Sequence, residues 1–293
     1  MRVAYVTSGD VGAGHIVRGI AIRNALDRTN VTGINYRRFG PPIQFTALSD
    51  AVDYVTVTND LGVKLTAFKP DLVIVDMFWM PLRTILRKLN CPAWLLIRYL
   101  PPLWFRGVDG ISWNPQDYAK IIKIEPFDVY IPMTTNVETI DPVVVVQASD
   151  LRANTELRTH FSIDAYKTLN VVIHSEAPKT LRLNKNLANK MHLRSNITTT
   201  DNEVTLRLSL KEQNVLYPVT PWLSGADHIT AAAGYNTYWE IKTLGLMDKT
   251  SFTARMHDFY GEQSWRSTAM ASVTPLTNGA DTLAGMIAAL KGE

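Results

Sequence analysis

The stretch that decides the fold is residues 2–27, RVAYVTSGDVGAGHIVRGIAIRNALD. Its first eight residues form an apolar strand candidate that runs into a glycine-containing turn. After the turn, Ile16, Ile20 and Leu26 recur at near-helical spacing. The stretch therefore predicts a strand, a glycine loop and a helix.

The following residues repeat this alternation. Further strand candidates are TGINYRRF at 32–39, AVDYVTVTND at 51–60, KPDLVIVDMFW at 69–79 and CPAWLLIRYL at 91–100. The third of these is the kind of apolar run found in buried parallel strands. PLRTILRKLN, at 81–90, predicts a helix that opens at Pro81. Alternating strands and helices predict an α/β fold with a doubly wound parallel sheet.

A polar stretch at 149–168, SDLRANTELRTHFSIDAYKT, interrupts this rhythm and predicts a domain boundary. The predicted domains are residues 1–160 and 161–293. In the second, strand candidates lie at 169–175, 195–201 and 203–210, helix candidates at 177–192 and 235–245, and a helical turn followed by a short strand within 220–234. The tail at 282–292 has helical periodicity and is expected to pack back on the protein.

Composition sets broad limits on function. A chain of 293 residues with 46% hydrophobic and 19% charged residues is ordinary for two globular domains. A single cysteine excludes an intramolecular disulfide and a cysteine-based metal cluster. The sequence lacks both an apolar run of about 18 residues and a signal-peptide pattern, so we expect a cytoplasmic protein without a transmembrane segment. The net charge of +3 permits a phosphate-bearing ligand or a nucleic acid without requiring either.

The loop after the first strand contains Gly12, Gly14, His15 and Arg18. Ligands in open α/β sheets bind at the carboxyl ends of strands, and glycine lets the backbone approach them closely. The motif is neither a full dinucleotide fingerprint nor a phosphate-binding P-loop. In the first turn of a helix, His15 is expected to be a neutral base, or else a capping or packing residue. Arg18 either binds a phosphate or pairs with an acidic residue on the surface.

Asp76 ends the most apolar strand candidate and so lies at the same edge of the predicted sheet. It is expected to be a second acid or base, or to cap the next helix or turn. The nearby aromatic residues of MFWMP and LPPLWF form either an acceptor platform or part of the core.

A second glycine motif lies in the C-terminal half, where Gly234 follows a short strand and precedes a predicted helix. The start of such a helix binds phosphate through its backbone N–H groups and its partial positive charge. Asn236, Thr237 and Glu240 lie within one helical turn, so they can face one cavity, where Glu240 could bind a ribose diol. The alternative is a capping box formed by Thr237 and Glu240.

At these two motifs the sequence resembles GT-B glycosyltransferases related to the peptidoglycan N-acetylglucosaminyltransferase, including predicted glycosyltransferases with a Gly-x-Gly-His-x-x-Arg opening. That opening is GAGHIVR at 12–18, which is also similar to the opening of the nucleotide-sugar hydrolase of pseudaminic acid synthesis. ADHITAAAGYNTYWEIKTLGL, at 226–246, resembles the donor-binding segment, and RMHDFYGEQSWRS, at 255–267, matches a second family pattern. The resemblance implies a GT-B fold of two Rossmann-like domains that face a central cleft.

The resemblance also implies roles for individual residues. The N-terminal domain would bind the acceptor, with His15 and the glycine loop facing the acceptor and the anomeric carbon. The donor would be bound by the C-terminal domain, with the diphosphate at Gly234, Tyr235, Asn236 and Thr237, the ribose at Glu240, and the sugar hydroxyls at Glu262 and Gln263. The family's glycine-rich diphosphate loop reads His174-Ser175-Glu176 here. Trp222 would border the nucleobase, unless it belongs to the core.

The function expected from this resemblance is metal-independent transfer of a sugar from a nucleoside-diphosphate sugar, preferably a UDP-sugar, to an acceptor hydroxyl. No cofactor is implied, since the nucleotide-sugar is a co-substrate, and the sequence has no Asp-x-Asp metal motif. The acceptor is left open among a modified DNA base, a glycan and a lipid. Two alternatives keep the fold: a nucleotide-sugar hydrolase, in which water replaces the acceptor, and a non-catalytic nucleotide-sugar-binding protein, suggested by the missing glycine loop at His174.

Overall fold

A computed structural model describes residues 1–7, 13–43, 53–100, 102–106, 113–127, 131–132, 137–173, 197–208, 216–253, 261–275 and 277–292. The chain divides into two compact units. The first contains the described residues up to 145 and those from 275 onward, and the second contains the described residues of 146–274.

The first unit is built on a seven-stranded sheet in which all neighbouring strands are parallel. Its strands are β1 (Arg2–Thr7), β2 (Asn35–Gly40), β3 (Tyr54–Thr56), β4 (Leu72–Asp76), β5 (Ala93–Ile97), β6 (Lys120–Lys123) and β7 (Val137–Thr139). Every residue of β4 and β5 is buried, including Asp76 at the end of β4, and the other residues form the apolar runs expected of buried parallel strands. The parallel sheet expected from the sequence is therefore confirmed.

The strand order, β3-β2-β1-β4-β5-β6-β7, reverses direction between β1 and β4. In open α/β sheets, ligands bind at the carboxyl ends of the strands where the order reverses. Thr7 and Asp76 are paired at this end of β1 and β4. The loop that follows β1 and the turn that follows β4 therefore begin at the position where this fold binds ligands.

The helices of the first unit are α1 (Gly14–Arg28), α2 (Leu61–Phe68) and α3 (Arg83–Leu86), and the C-terminal helix (Gly279–Gly292) also belongs to it. Helix α1 buries Ile16, Ile22 and Leu26. It also lies close to β1 at Gly19, where an added Cβ would approach the Tyr5 ring to 2.8 Å. A larger residue at that position would push the helix away from the sheet.

The described residues of the second unit form a five-stranded sheet and three helices. Its strands are β8 (Thr168–Ile173), β9 (Ile197–Thr199), β10 (Glu203–Leu208), β11 (His228–Ala232) and β12 (Thr250–Thr253), in the order β12-β11-β8-β10-β9. Only the β9–β10 pair is antiparallel. The helices are α4 (Asn154–His160), α5 (Tyr235–Thr243) and α6 (Glu262–Ala269), which makes the C-terminal helix α7. Helix α5 starts at the carboxyl end of β11.

The boundary between the two units differs in position from the domain boundary expected at residue 160. The division falls at residues 145 and 146, and residues 275–293 belong with the first unit. Helix α7 is placed there because it buries Leu283, Ala284 and Ile287, and Arg28 of α1 donates to Asp281 over 2.6 Å.

Two further expectations from the sequence concern a helix in the second unit and membrane-spanning helices. The helix expected at 177–192 lies outside the described residues. Within the part of the chain that the structure describes, no helix combines the length and the apolar character needed to cross a bilayer.

Candidate functional site

The carboxyl end of β4 carries a buried cluster formed by Asp76, His15, Arg18 and Tyr5. Nδ1 of His15 lies 2.9 Å from Oδ2 of Asp76, and the Tyr5 hydroxyl donates to the same oxygen over 2.6 Å. Nη2 of Arg18 donates to Oδ1 and Oδ2 over 3.0 and 2.9 Å. Asp76 is fully buried, so these donors replace the water that an ionised carboxylate requires.

The neighbours of Asp76 keep its carboxylate ionised. Burial alone would raise the pKa of Asp76, but the Arg18 guanidinium, the His15 ring and the hydrogen bonds from His15 and Tyr5 hold it well below its usual range. A carboxylate stabilised to this degree is a poor proton acceptor. It can instead position the imidazole of His15, which it contacts directly.

The imidazole of His15, beside Asp76, is kept neutral by its surroundings. Burial lowers the pKa of His15, the Asp76 carboxylate opposes this effect, and the Arg18 guanidinium adds to the lowering. Nη2 of Arg18 lies only 2.7 Å from Nδ1, so Nδ1 has a donor on one side and an acceptor on the other. When Nδ1 carries the proton it donates to Asp76, and Nε2 then has the lone pair of a base. The other tautomer accepts from Arg18 through Nδ1.

A tight turn follows Asp76. Met77 has a φ of +66°, a left-handed value that is uncommon for a residue with a side chain. Beyond it, the Phe78 ring lies 5.2 Å from the His15 ring and 5.7 Å from the Trp104 ring. The turn therefore places the half-buried Phe78 ring beside the imidazole, and the half-buried Trp104 ring contacts Phe78 in turn. Strained backbone of this kind is concentrated at functional sites.

The N-terminal glycine motif is described in part. Gly14 begins α1, whereas Gly12 lies outside the described residues. Arg18 pairs with an acidic residue, Asp76, but the pair is buried and not on the surface as the sequence suggested. A paired guanidinium inside the unit balances the charge of the carboxylate beside His15.

The start of α5 forms the second candidate site. Gly234 occupies the N-cap position in extended backbone and has no side chain with which to cap the helix. Gly234, Asn236 and Thr237 are half-buried, so the start of the helix is not sealed inside the unit. The capping-box alternative is wrong, because Thr237 is the third residue of the helix and a capping box would need it at the N-cap.

Glu240 lies one turn into α5 and is buried. Oγ1 of Thr220 donates to its Oε2 over 2.8 Å. Burial raises the pKa of Glu240 to about 7, and the hydrogen bond from Thr220 opposes this rise. The carboxylate is therefore divided between its neutral and charged forms near neutral pH, and a ligand with hydroxyl groups that donate to it would favour the charged form.

Arg266 connects α6 to the start of α5. Its fully buried guanidinium donates to the carbonyl of Ala233 over 3.2 Å and to Oε2 of Glu262 over 3.1 Å. It also lies over the Tyr235 ring, 5.5 Å from its centroid. Arg266 thus brings Glu262, in the first turn of α6, to the backbone that precedes Gly234. Gln263, the next residue of α6, is buried.

The remaining residues expected to bind the donor are Trp222, which the structure describes, and His174 and Ser175, which it does not. Trp222 is half-buried in a 3-10 helix (Thr220–Gly225), with the Arg152 guanidinium 3.9 Å from the centre of its ring and the His160 ring at 5.5 Å. Arg152 therefore occupies one face of the ring that was expected to border a nucleobase. His174 and Ser175 lie outside the described residues.

Sequence reasoning missed Tyr5, Thr220 and Arg266. Tyr5 looks like any apolar residue of a buried strand, and Thr220 is 20 residues from the carboxylate that it contacts. Arg266 gave the only usable signal, since it follows Glu262 by four residues and so lies on the same face of α6.

Comparison with known proteins identifies the fold. The structure is similar to MurG of Acinetobacter baumannii, with 14% identity over 99% of this chain and 90% of that chain and a TM-score of 0.51. It is also similar to the spinosyn rhamnosyltransferase SpnG complexed with thymidine diphosphate, with 13% identity over 100% and 92% of the two chains and a TM-score of 0.55. A third similar structure is the glycosyltransferase VinC in complex with dTDP, with 12% identity over 100% of this chain and 92% of that chain and a TM-score of 0.58.

These structures are GT-B glycosyltransferases, so the fold expected from the sequence is confirmed. The sequence itself matches no protein-family model. It also matches none of the curated proteins.

Proposed function

We propose that this chain, which has the GT-B fold, is a glycosyltransferase that moves a sugar from a nucleoside-diphosphate sugar, preferably a UDP-sugar, to an acceptor hydroxyl. The observation that carries the proposal is the start of α5. There a half-buried glycine N-cap precedes a helix whose buried Glu240 lies one turn further along.

The α5 site suits a nucleoside diphosphate. The first turn of a helix presents N–H groups and a partial positive charge, which favour a diphosphate without a metal ion. Ionised Glu240 can accept hydrogen bonds from a ribose diol through the oxygen that Thr220 does not contact and the remaining lone pair of the other. We assign the diphosphate to Gly234, Tyr235, Asn236 and Thr237, and the donor sugar to Glu262 and Gln263.

The cluster around Asp76 suits the activation of a hydroxyl. With Nδ1 donating to Asp76, Nε2 of His15 takes the proton of the acceptor hydroxyl as its oxygen attacks the anomeric carbon. The bond from that carbon to the diphosphate breaks, and the nucleoside diphosphate leaves with the electron pair. The start of α5 then stabilises the charge that develops on the departing phosphate.

Incubation with UDP-, GDP- and dTDP-sugars tests the proposal when released nucleotide and glycosylated product are both measured. We expect nucleotide release that depends on an added acceptor and on His15. Free sugar formed without an acceptor would instead indicate a hydrolase. Tight binding without turnover would indicate a non-catalytic binding protein, and the absence of binding to all three nucleotides would contradict the proposal.

A DNA acceptor would have its own signature. Binding of DNA through backbone phosphates releases counterions, so its affinity would fall steeply as salt concentration rises. A glycan or another uncharged acceptor would show no such dependence. Measuring acceptor affinity at two salt concentrations therefore separates these classes.

A further inference from the structure

The first unit contains a cavity of about 320 Å³ at the carboxyl edge of its sheet. The cavity is formed where β1, β2 and β3 end and where α2 and α3 approach that edge. The described residues that line it are Thr7, Gly40, Pro41, Val57, Thr58, Asn59, Leu61, Gly62, Pro81 and Ile85. We call it the edge cavity.

The wall of the edge cavity is ordered by close packing around Gly40. A Cβ added at Gly40 would lie 2.4 Å from the Tyr54 hydroxyl and 2.7 Å from Cγ2 of Thr7. The Tyr54 hydroxyl in turn donates to the carbonyl of Pro41 over 2.6 Å. Glycine is therefore required at this position, and the wall has a fixed shape.

The edge cavity lies next to the cluster around Asp76. Thr7, one of its lining residues, pairs with Asp76 in the register of β1 and β4. Neighbouring strands are about 4.8 Å apart. The backbone of Thr7, in the wall of the cavity, is consequently one strand spacing from the backbone of Asp76, whose carboxylate contacts His15.

The lining determines what the cavity can bind. Half of its described lining residues are apolar side chains larger than glycine, namely Pro41, Val57, Leu61, Pro81 and Ile85. The others are glycine, threonine and asparagine, and none of the described lining residues is ionisable. Burying a charged group without a partner is costly, so the described part of the lining disfavours a carboxylate or phosphate. Its volume is at the lower end of the range of ligand pockets, about 300–1,000 Å³.

We propose that the edge cavity binds the acceptor, and that the acceptor is an uncharged hydroxyl compound whose bound part is a single ring with an apolar face. This inference rests on the proposed glycosyltransferase function, of which it specifies the acceptor class. The apolar side chains contact the face of the ring, and the polar groups of Thr7, Thr58 and Asn59 interact with its substituents. A ring hydroxyl is then presented to His15.

Two matched pairs of probes test this class by saturation-transfer NMR and calorimetry. The first pair is methyl 4-hydroxybenzoate and 4-hydroxybenzoate, and the second is methyl β-glucoside and the carboxylate of methyl β-glucuronide. We expect the uncharged member of at least one pair to bind at least tenfold more tightly than its carboxylate partner. The pair that binds distinguishes a phenol from a sugar as the source of the ring.

A plug variant tests the location. A Cβ added at Gly62 would lie 3.6 Å from Cγ1 of Ile85, an ordinary contact, and both residues line the cavity. Gly62→Leu should therefore fill the space without disturbing the fold, and should weaken binding of the uncharged probe at least tenfold. Val63 is 72% exposed on the same helix, so Val63→Leu is the matched control and should leave probe binding unchanged.

Nucleotide binding separates failure of this inference from failure of the proposed function. Gly62→Leu should bind UDP as the unaltered protein does. The inference is overturned if no uncharged probe binds, if charged and uncharged probes bind equally, or if Gly62→Leu binds the probe normally. If UDP binding is also missing from the unaltered protein, the proposed function fails with it.

Discussion

Asp76 carries its negative charge between Arg18 and His15, and this arrangement assigns different tasks to the two candidates for acid–base chemistry. The carboxylate accepts hydrogen bonds from Tyr5 and Arg18, and these stabilise its ionised form. The imidazole has a lowered pKa and is neutral. In the proposed reaction, His15 is therefore the residue that accepts the proton, and Asp76 positions it.

Replacement of His15 should remove this base. We expect His15→Asn to lower kcat for sugar transfer by about 10²–10⁴-fold, the usual contribution of a general base, with little effect on UDP affinity. His228 is exposed at the start of β11, so His228→Asn serves as the control. Steady-state kinetics and calorimetry with UDP measure the two quantities. Normal turnover in His15→Asn would contradict the role of this residue.

The charge of Arg18 should set the acidic limb of the pH–rate profile. Arg18 lowers the pKa of His15 and balances Asp76, so its loss should raise the pKa of the imidazole. In Arg18→Gln, kcat/KM should begin to fall at a higher pH as the solution is acidified. Arg18→Lys keeps the charge and should keep the limb near its original position. Coincident profiles for the unaltered protein and Arg18→Gln would show that the guanidinium does not control this base.

Glu240 should make donor affinity depend on pH. Its pKa is raised to about 7 by burial, and charge-assisted hydrogen bonds to a ribose are stronger than neutral ones. UDP-glucose affinity should therefore rise by about fivefold to tenfold between pH 6 and 8, while Glu240→Gln should show no such rise. A nucleotide-sugar lacks the phosphate monoester whose second pKa is about 6, so the ligand itself does not titrate. A flat profile for the unaltered protein would contradict ribose binding by Glu240.

Among the elements, the segment that precedes α7 has a structural role that sequence reasoning did not foresee. Val144 is buried but belongs to no strand, so its backbone needs other partners. The Asn278 side chain supplies them, since its Oδ1 accepts from the Val144 N–H over 3.3 Å and its Nδ2 donates to the Val144 carbonyl over 2.9 Å. The single amide side chain of Asn278 thus makes the two backbone hydrogen bonds that a neighbouring strand would otherwise make with Val144.

Removing this amide should destabilise the first unit. We expect Asn278→Ala to lower the free energy of unfolding by about 1–3 kcal/mol, because buried backbone groups lose their partners. Asn278→Asp keeps the acceptor but loses the donor, so it should fall between the two. Urea unfolding followed by tryptophan fluorescence measures the change. An unchanged midpoint for Asn278→Ala would show that Val144 does not depend on these hydrogen bonds.

The sequence predicts some elements far better than others, for physical reasons. β4 and β5 are recognisable because both of their faces are buried, so every position except the final Asp76 of β4 is apolar. β12 (Thr250–Thr253) is an edge strand with alternating half-buried and exposed residues, and it lacks the apolar run on which strand recognition depends. The run at 143–146 is the opposite case, since it is apolar and buried without being a strand.

The candidate site shows the same limit. Its motifs are local. His15 could be identified from the glycine motif that precedes α1, and Gly234 and Glu240 from the spacing of residues at the start of α5. The pairing of His15 with Asp76 depends on β1 and β4 being neighbours, although 61 residues separate the two side chains. Periodicity alone carries no information on such contacts. The sequence therefore identifies residues, and the strand order determines which of them meet.

In the proposed reaction of the whole molecule, each unit contributes a different chemical task. The first unit has the neutral imidazole and the edge cavity, and the second has the start of α5 with its buried carboxylate. The structural similarity extends over nearly the whole chain, so both units belong to the shared fold. This assignment of tasks to the two units depends on which ligand the second unit binds.

Titration of the ¹⁵N-labelled protein with UDP, followed by amide NMR, tests that ligand most directly. Saturable shifts should be largest at the amides of Tyr235, Asn236 and Thr237, and uridine without its phosphates should leave them small. UDP that fails to bind, or that shifts amides elsewhere while those of α5 stay unchanged, would contradict a nucleotide-sugar site at this helix.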